Sequence, residues 1–416
     1  MELLIFHNGA AGHSLVDTTN ARKTSTNPQI CYNVYTTNRK AWGMIELLCR
    51  LENIRDTRQE WKVLHKLSEV VFIVLLALLA NADEWELIED FAYANEEFLR
   101  KYLVLKHGIP SHDTIRRVMA IIEPKEMQGV QLAWGEIVNS DEGEKLKKIL
   151  NIDGKTMRGT ASAKKKALHI VSAYSCEDGI SFGQTVVDEK ENEIVAIPQL
   201  LDEISIKDTV VTIDAMGCQA DIAKKIIDKK ADYVLALKGN QKNLHQDVID
   251  YFADPEFLQR IKQEGNYHKQ TEKAHGQIET REYYQTNDID WLHNKEKWTG
   301  LKSIGMVQTT TEKSNGIKTR ETRYFISSLA VMILFFAKAI RGHWAIESMH
   351  WHLDVTFKED SNKTLETTAA TNLNILRKIA LSILKIIDVG KKCSLKRKRY
   401  IICANTSKFL ENVMSI

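Results

Sequence analysis

Three acidic residues sit where a folding chain can hold charge at the edge of a core. Asp153 lies within the apolar run Ile149–Met157, and Asp214 ends the run Thr209–Ile213. Glu347 lies in the segment RGHWAIESMHWHLDVTF, which starts at Arg341. At about 100° per residue, that segment puts His343, Glu347, His350 and Asp354 on one narrow helical face. Trp344, Trp351 and Val355 flank the stripe on one side, and Ile346, Met349 and Leu353 on the other. A polar stripe hemmed in this way is expected to face a polar cavity inside the protein, because unpartnered buried charge is too costly to persist. A structural His–Glu network is the plain alternative, but the two carboxylates at strand positions favour a site.

Three carboxylates from two strands and a helix suit oxygen-seeking Mg²⁺ or Mn²⁺. Two such ions, about 4 Å apart, would clamp the attacking and leaving oxygens of an in-line phosphoryl displacement. In that scheme Asp153 bridges both ions, Asp214 holds one and Glu347 the other. Lys155 and Arg158, just beyond Asp153, and Lys238 are candidate phosphate contacts. His343 and His350 could steady the scissile phosphate or a water at the metals.

The elements that must position these groups centre on Asp208–Gln241. Thr209–Ile213 reads as a buried strand, Ile222, Ala223, Ile226 and Ile227 recur at helical spacing, and Tyr233–Leu237 reads as a second strand. A strand–helix–strand unit makes a parallel crossover, and open α/β sheets place polar chemistry beyond the carboxyl ends of such strands. Asp214 and Lys238-Gly239-Asn240-Gln241 therefore come to one edge. Upstream, Ile149–Met157, Leu168–Cys176 and Ile180–Val187 have period two, with an Asp-Gly hairpin turn between the last two. A helix over Ile194–Ile204 leads into the crossover. Three antiparallel strands, helix, strand, helix, strand is the order of a ribonuclease-H-like mixed α/β sheet.

The rest of the chain sorts by periodicity. Residues 1–40 have none and form an unassigned extension; 41–145 read as an all-α domain in which Leu64–Ala80 is a long apolar helix. Its basic pair Arg116-Arg117 allows DNA binding as readily as plain helix packing. The core then runs over 146–259, a β-rich insertion over 260–328 with the hairpin turn Ser314-Asn315-Gly316, and the core again over 329–390. The tail 391–416 opens with six basic residues in Lys391–Arg399, a run that could track a phosphate backbone. With 57 basic against 55 acidic side chains there is no global field for nucleic acid, so any such binding is local. Six cysteines without a CxxC pair argue against zinc or a disulfide framework and fit a reducing cytoplasm. The longest apolar run, Val70–Ala80, is 11 residues, short of the roughly 18 that span a bilayer.

The segments NIDGKTMRG, VDEKENEIVAIPQLL, TIDAMGCQ, ADYVLALKGNQ, HGQIETREY, RYFISSL and HWAIES–HWHLDVTFKED resemble those of DDE transposases of bacterial insertion sequences, in the H-repeat-associated branch. The resemblance runs from about Leu51 to the end. It implies that Asp153, Asp214 and Glu347 form a catalytic triad on a ribonuclease-H-like core. The long gap before Glu347 fits a family with a β-rich insertion there. The Tyr, Arg and Lys of the wider superfamily fall here on Ile340, His343 and Asp354, and Ser348 stands where the branch usually has Asn. The resemblance further implies cleavage of element ends, joining of the 3′-hydroxyl to target DNA, and a homodimer on DNA. A domesticated or decayed DNA-binding protein is the alternative; it predicts loss of a triad carboxylate, and all three are present.

Overall fold

A computed structural model describes residues 43–138, 148–163, 165–188, 191–274 and 276–416. The expected 1–40 extension lies outside the described residues. Six helices come first: α1 Gly43–Glu52, α2 Leu67–Leu79, α3 Trp85–Ala94, the short α4 Glu96–Leu99, α5 His112–Ile121 and α6 Pro124–Val138. Helix α2 is apolar on every side and correspondingly buried along its whole length. It starts three residues later than its apolar run suggests, because a 3₁₀ turn at Glu60–Lys62 leaves Leu64 exposed.

Strands β1 Lys148–Met157, β2 Leu168–Ser175 and β3 Ile180–Val187 follow, then α7 Glu193–Glu203, β4 Thr209–Ile213, α8 Ala220–Asp228 and β5 Asp232–Leu237. These match the period-two and period-3.6 readings closely. Beyond them lie α9 Lys242–Ala253, α10 Pro255–Gln263, β6 Tyr267–Ala274, β7 Gln277–Thr286, β8 Ser303–Lys313 and β9 Lys318–Ser327. The long helix α11, Ile333–Val355, then leads to α12 Thr367–Ile386, α13 Leu395–Ala404 and α14 Thr406–Met414.

Among the described residues, nine strands join one mixed sheet in the order β3-β2-β1-β4-β5-β9-β8-β7-β6. β1, β4 and β5 are parallel, and β9 returns antiparallel to β5 through Val234↔Ser327 to Leu237↔Tyr324. The β-rich segment thus extends the same sheet instead of building its own. Its first residues, up to Gln263, are helical, since Asp254 caps the amide of Glu256 ahead of Pro255.

Apolar side chains divide between the faces. One face carries α7, α8 and α9 over Ile152, Val211, Ile213 and Leu235. On the other, α11 lies across β1 and β4, its first half packing Phe336, Ala339 and Ile340 on Ile149 and Val210. Its second half, through Ile346, Met349 and Leu353, enters a large core shared by α1–α6 and α12–α14.

The basic run at Lys391–Arg399 is in part structural, which corrects the expectation of a phosphate-tracking tail. Arg399 is fully buried and paired with Asp83 at 2.6 Å. Lys398 donates to the carbonyls of Leu384 and Ile387, at 2.8 and 2.7 Å, and so caps the end of α12.

Candidate active site

The β1–β4 register ends at Ile152↔Ile213, so the next residue of each parallel strand is a carboxylate, Asp153 and Asp214. Alternation puts Asp153 on the same face as Asn151, and Asn151 pairs with Thr212. That face is the one α11 covers. Asp153, Asp214, His343, Trp344 and Glu347 line one open cleft of about 390 Å³, with Lys238, Arg323 and Tyr324 on its far wall.

The helix stripe meets the strands in order. His343 lies 3.0 Å from Thr212, His350 Nδ1 lies 3.5 Å from Asp153, and Asp354 takes the ammonium of Lys155 at 2.7 Å. The stripe is walled on one side only: Trp351 and Val355 are exposed, so it faces an open cleft rather than an enclosed cavity.

Asp214 is held by its own turn. Its Oδ1 accepts from the backbone N–H of Met216 at 3.0 Å and of Gly217 at 3.3 Å. Only glycine fits at 217, because a Cβ there would come within 2.3 Å of the Ile213 side chain. Burial raises the Asp214 carboxyl above the usual carboxylate range; the charges of Glu193 and Asp153 add to this, while the two amides oppose it. Burial likewise raises Glu347, with Asp153 adding to the effect and Arg323 opposing it. Burial depresses His343 below the ordinary imidazole range, against the pull of Asp153 and Asp214.

The remaining sequence candidates are dispersed. Lys155 is buried and bound to Asp354, to Glu359 at 2.9 Å and to Asp360 at 3.6 Å. It ties β1 to the end of α11, buried among three carboxylates and not among the residues that line the cleft. Asn240 donates to the carbonyl of Ala215 at 2.7 Å and Gln241 to that of Cys218 at 2.9 Å. Both amides therefore brace the Asp214 turn. Arg158 is anchored by its backbone N–H to Asp360 at 3.0 Å, while its guanidinium is 84% exposed. Lys238 is exposed on the cleft wall. Arg116 and Arg117, both exposed, share Asp113 at 2.9 and 4.0 Å.

Two groups escape the sequence reading. Arg323 on β9 lies on the cleft wall, its guanidinium 5.4 Å from the Trp344 ring centroid, where Arg281 and Arg341 also approach. Glu193, the first residue of α7, bonds His169 Nε2 at 2.7 Å, and His169 Nδ1 bonds Thr156 at 2.8 Å. This pair packs against bare Gly154, where a Cβ would stand 2.1 Å from the Glu193 carboxylate. The segment VDEKENEI held Glu193 in plain view, but nothing in its spacing ties it to strand β1.

The donor set suits a hard divalent cation: three carboxylates, two of which are held above the usual carboxylate range by burial and, to a lesser degree, by the charge of Asp153. Among the described residues no three carboxylate, imidazole or thiol groups converge closely enough to enclose an ion.

A family model described as "Transposase DDE domain" matches residues 144–383, the stretch that carries all three carboxylates. The chain belongs to this family. A second model, described as "DDE_Tnp_1-associated", matches residues 48–135 of the helical segment. The chain is 40% identical to "Putative transposase YncI" of Escherichia coli O157:H7, over 89% of its own length and 94% of the relative's. It is 36% identical to "H repeat-associated putative transposase YhhI" of Escherichia coli strain K12, over 85% and 93% of the two chains. A shorter stretch, 16% of this chain, is 46% identical to "Inactive transposase YbfQ" of the same strain and covers 77% of that protein. Within the family, this chain is an H-repeat-associated DDE transposase. Among the described residues no helix is long and apolar enough to cross a membrane.

Proposed function

We propose that this transposase binds the ends of its insertion sequence, cleaves them, and joins the freed 3′-hydroxyl to target DNA. The observation that carries the reading is the β1–β4 register, which ends one residue before Asp153 and Asp214 and opposite Glu347 of α11. Asp153 would bridge two Mg²⁺ or Mn²⁺ ions, with Asp214 and Glu347 each holding one. Bound there, the cations would offset the charge that builds on the phosphoryl oxygens and on both the attacking and leaving oxygens.

The chain's own residues do the positioning. Met216 and Gly217 fix one oxygen of Asp214, and Asn240 and Gln241 brace the turn that carries it. Lys238 and Arg323 on the cleft wall, and the largely exposed guanidinium of Arg158, close in sequence to Asp153, are the candidate phosphate contacts. Arg323 would reach a phosphate from a pairing with Glu321 at 2.8 Å, and Arg158 from one with Asp360 at 3.9 Å. Two ends must be held together for joining, so a homodimer on DNA is part of the proposal, as is a cytoplasmic site of action. A protein that only binds DNA would be expected to have lost a triad carboxylate, and here Asp153, Asp214 and Glu347 all remain.

The test is strand cleavage and joining on DNA bearing the element's own ends, with Mg²⁺ or Mn²⁺. Wild type is compared with Asp214→Asn, a nearly isosteric change that removes a ligand charge. Metal-dependent cleavage and joining, abolished in the variant while DNA binding persists, supports the proposal. Binding without chemistry in either protein would leave only the DNA-binding reading.

A further inference from the structure

A chain of directed hydrogen bonds runs beneath Asp153 and Asp214, and its far end faces the cleft. Asn151 is fully buried on β1. Its Nδ2 donates to the Tyr174 carbonyl at 3.2 Å, so its Oδ1 is turned toward β4. The Thr212 hydroxyl gives its one proton to that Oδ1 at 2.8 Å. Thr212 Oγ1 then has only lone pairs to offer, so His343 Nδ1, 3.0 Å away, must be the donor of their shared bond. A neutral imidazole carries a single N–H. With that proton committed at Nδ1, Nε2 is left as a bare acceptor on a residue that lines the cleft.

Resting on the cleavage reading above, we propose that His343 Nε2 is the proton acceptor for the attacking nucleophile. In cleavage a water oxygen forms the new bond to phosphorus while one of its protons passes to Nε2. The bond from phosphorus to the 3′ oxygen breaks, its electron pair stays on that oxygen, and solvent supplies the proton that completes the 3′-hydroxyl. In joining, that 3′-hydroxyl gives its proton to Nε2 as its oxygen bonds to the target phosphorus, and the displaced target oxygen is protonated from solvent. The imidazolium returns its proton to water through the open cleft. His350 is placed differently: its Nδ1 faces Asp153, and its Nε2 is buried without a partner. Burial lowers the proton affinity of His343, against the opposing charges of Asp153 and Asp214, and so favours the neutral ring. The Asn151–Thr212 relay is thus a positioning device that acts through His343.

The experiment pairs a structural readout with a kinetic one on the full chain. Two-bond ¹⁵N–¹H correlation spectra of protein labelled with ¹⁵N-histidine report the tautomer, and His343→Gln identifies the resonance. The expected result is a neutral ring protonated at Nδ1, which loses that preference in Thr212→Val and regains it in Thr212→Ser. Cleavage is expected to slow by roughly 10²-fold in His343→Gln and by about 10-fold in Thr212→Val, with Thr212→Ser restoring most of it. Mn²⁺ binding by calorimetry should be retained in all three variants. A ring protonated at Nε2, or His343→Gln cleaving within about threefold of wild type, overturns the proposal. So does nitrogen coupling in the Mn²⁺ resonance spectrum that vanishes in His343→Gln, because it would place Nε2 on the cation. Absence of cleavage in wild type as well would defeat the cleavage reading itself, and this role with it, whatever the tautomer.

Discussion

Replacing Arg399 with methionine should destabilise the fold by about 3–5 kcal/mol, the usual effect of leaving one half of a buried ion pair behind. Arg399 is fully buried, and its Nη2 donates to Asp83 Oδ1 and to the Leu78 carbonyl, both at 2.6 Å. Its Nε reaches the same carbonyl at 2.9 Å, and its Nη1 meets Asp83 Oδ2 at 3.3 Å and the Thr356 carbonyl. Methionine fills the space against the Phe357 ring, which lies 4.3 Å from the guanidinium carbon. It strands the Asp83 carboxylate and takes the guanidinium from the Leu78 and Thr356 carbonyls. At about 3 kcal/mol per molar, the urea midpoint should fall by roughly 1 to 1.7 M. Arg399→Lys keeps the charge but loses the forked geometry and should lie in between. Adding Asp83→Asn to Arg399→Met should cost less than the two single changes summed, because the stranded carboxylate is gone. The reasoning fails if Arg399→Met unfolds within about 1 kcal/mol of wild type while its DNA affinity falls with a shallower salt slope, as a phosphate contact would.

Other consequences can be checked in the same preparations. Asp214 has a folded-state carboxyl held above its ordinary value, so its ionisation opposes folding as pH rises through that raised value. Metal-free Asp214→Asn should therefore melt higher than wild type at pH 7, with the gap closing below the ordinary aspartate value of 3.8; an equal gap at both pH values would contradict this. Arg158→Ala and Arg323→Ala should each weaken DNA binding and lower the salt slope by about 1, whereas Lys155→Met should leave the slope alone and lower the melting point. Gly154→Ala must displace the Glu193–His169 pair, with an expected loss of about 1–3 kcal/mol in urea unfolding.

The candidate edge was legible because one apolar run carries Asp153 and another stops on Asp214, and parallel pairing of the two strands brings those positions together. The stripe on α11 was legible for the same kind of reason, since 3.6 residues per turn fixes which side chains share a face. What those side chains meet was not legible. Lys155 alternates onto the same face as Asp153, but Asp354, Glu359 and Asp360 reach it only after α11 docks. Strand β6 escaped notice because YHKQTEKA carries too few apolar residues to show period two, and its pairing is supplied by β7. The basic run at Lys391–Arg399 read as one that could track a phosphate backbone because composition cannot reveal that Asp83, far away in sequence, pairs with Arg399.

Helices from both ends of the described chain share one core, and a Cβ on Gly43 would stand 3.1 Å from the carbonyl oxygen of Ile416. A gene copy interrupted after the codons of α12 would still encode Asp153, Asp214 and Glu347, yet would lack the residues that close the core around them. Mutational drift would therefore silence such copies at the level of folding long before it erased the acidic signature. During synthesis, too, the carboxylates leave the ribosome well ahead of Arg399, so the core around them closes only after α13 has been made.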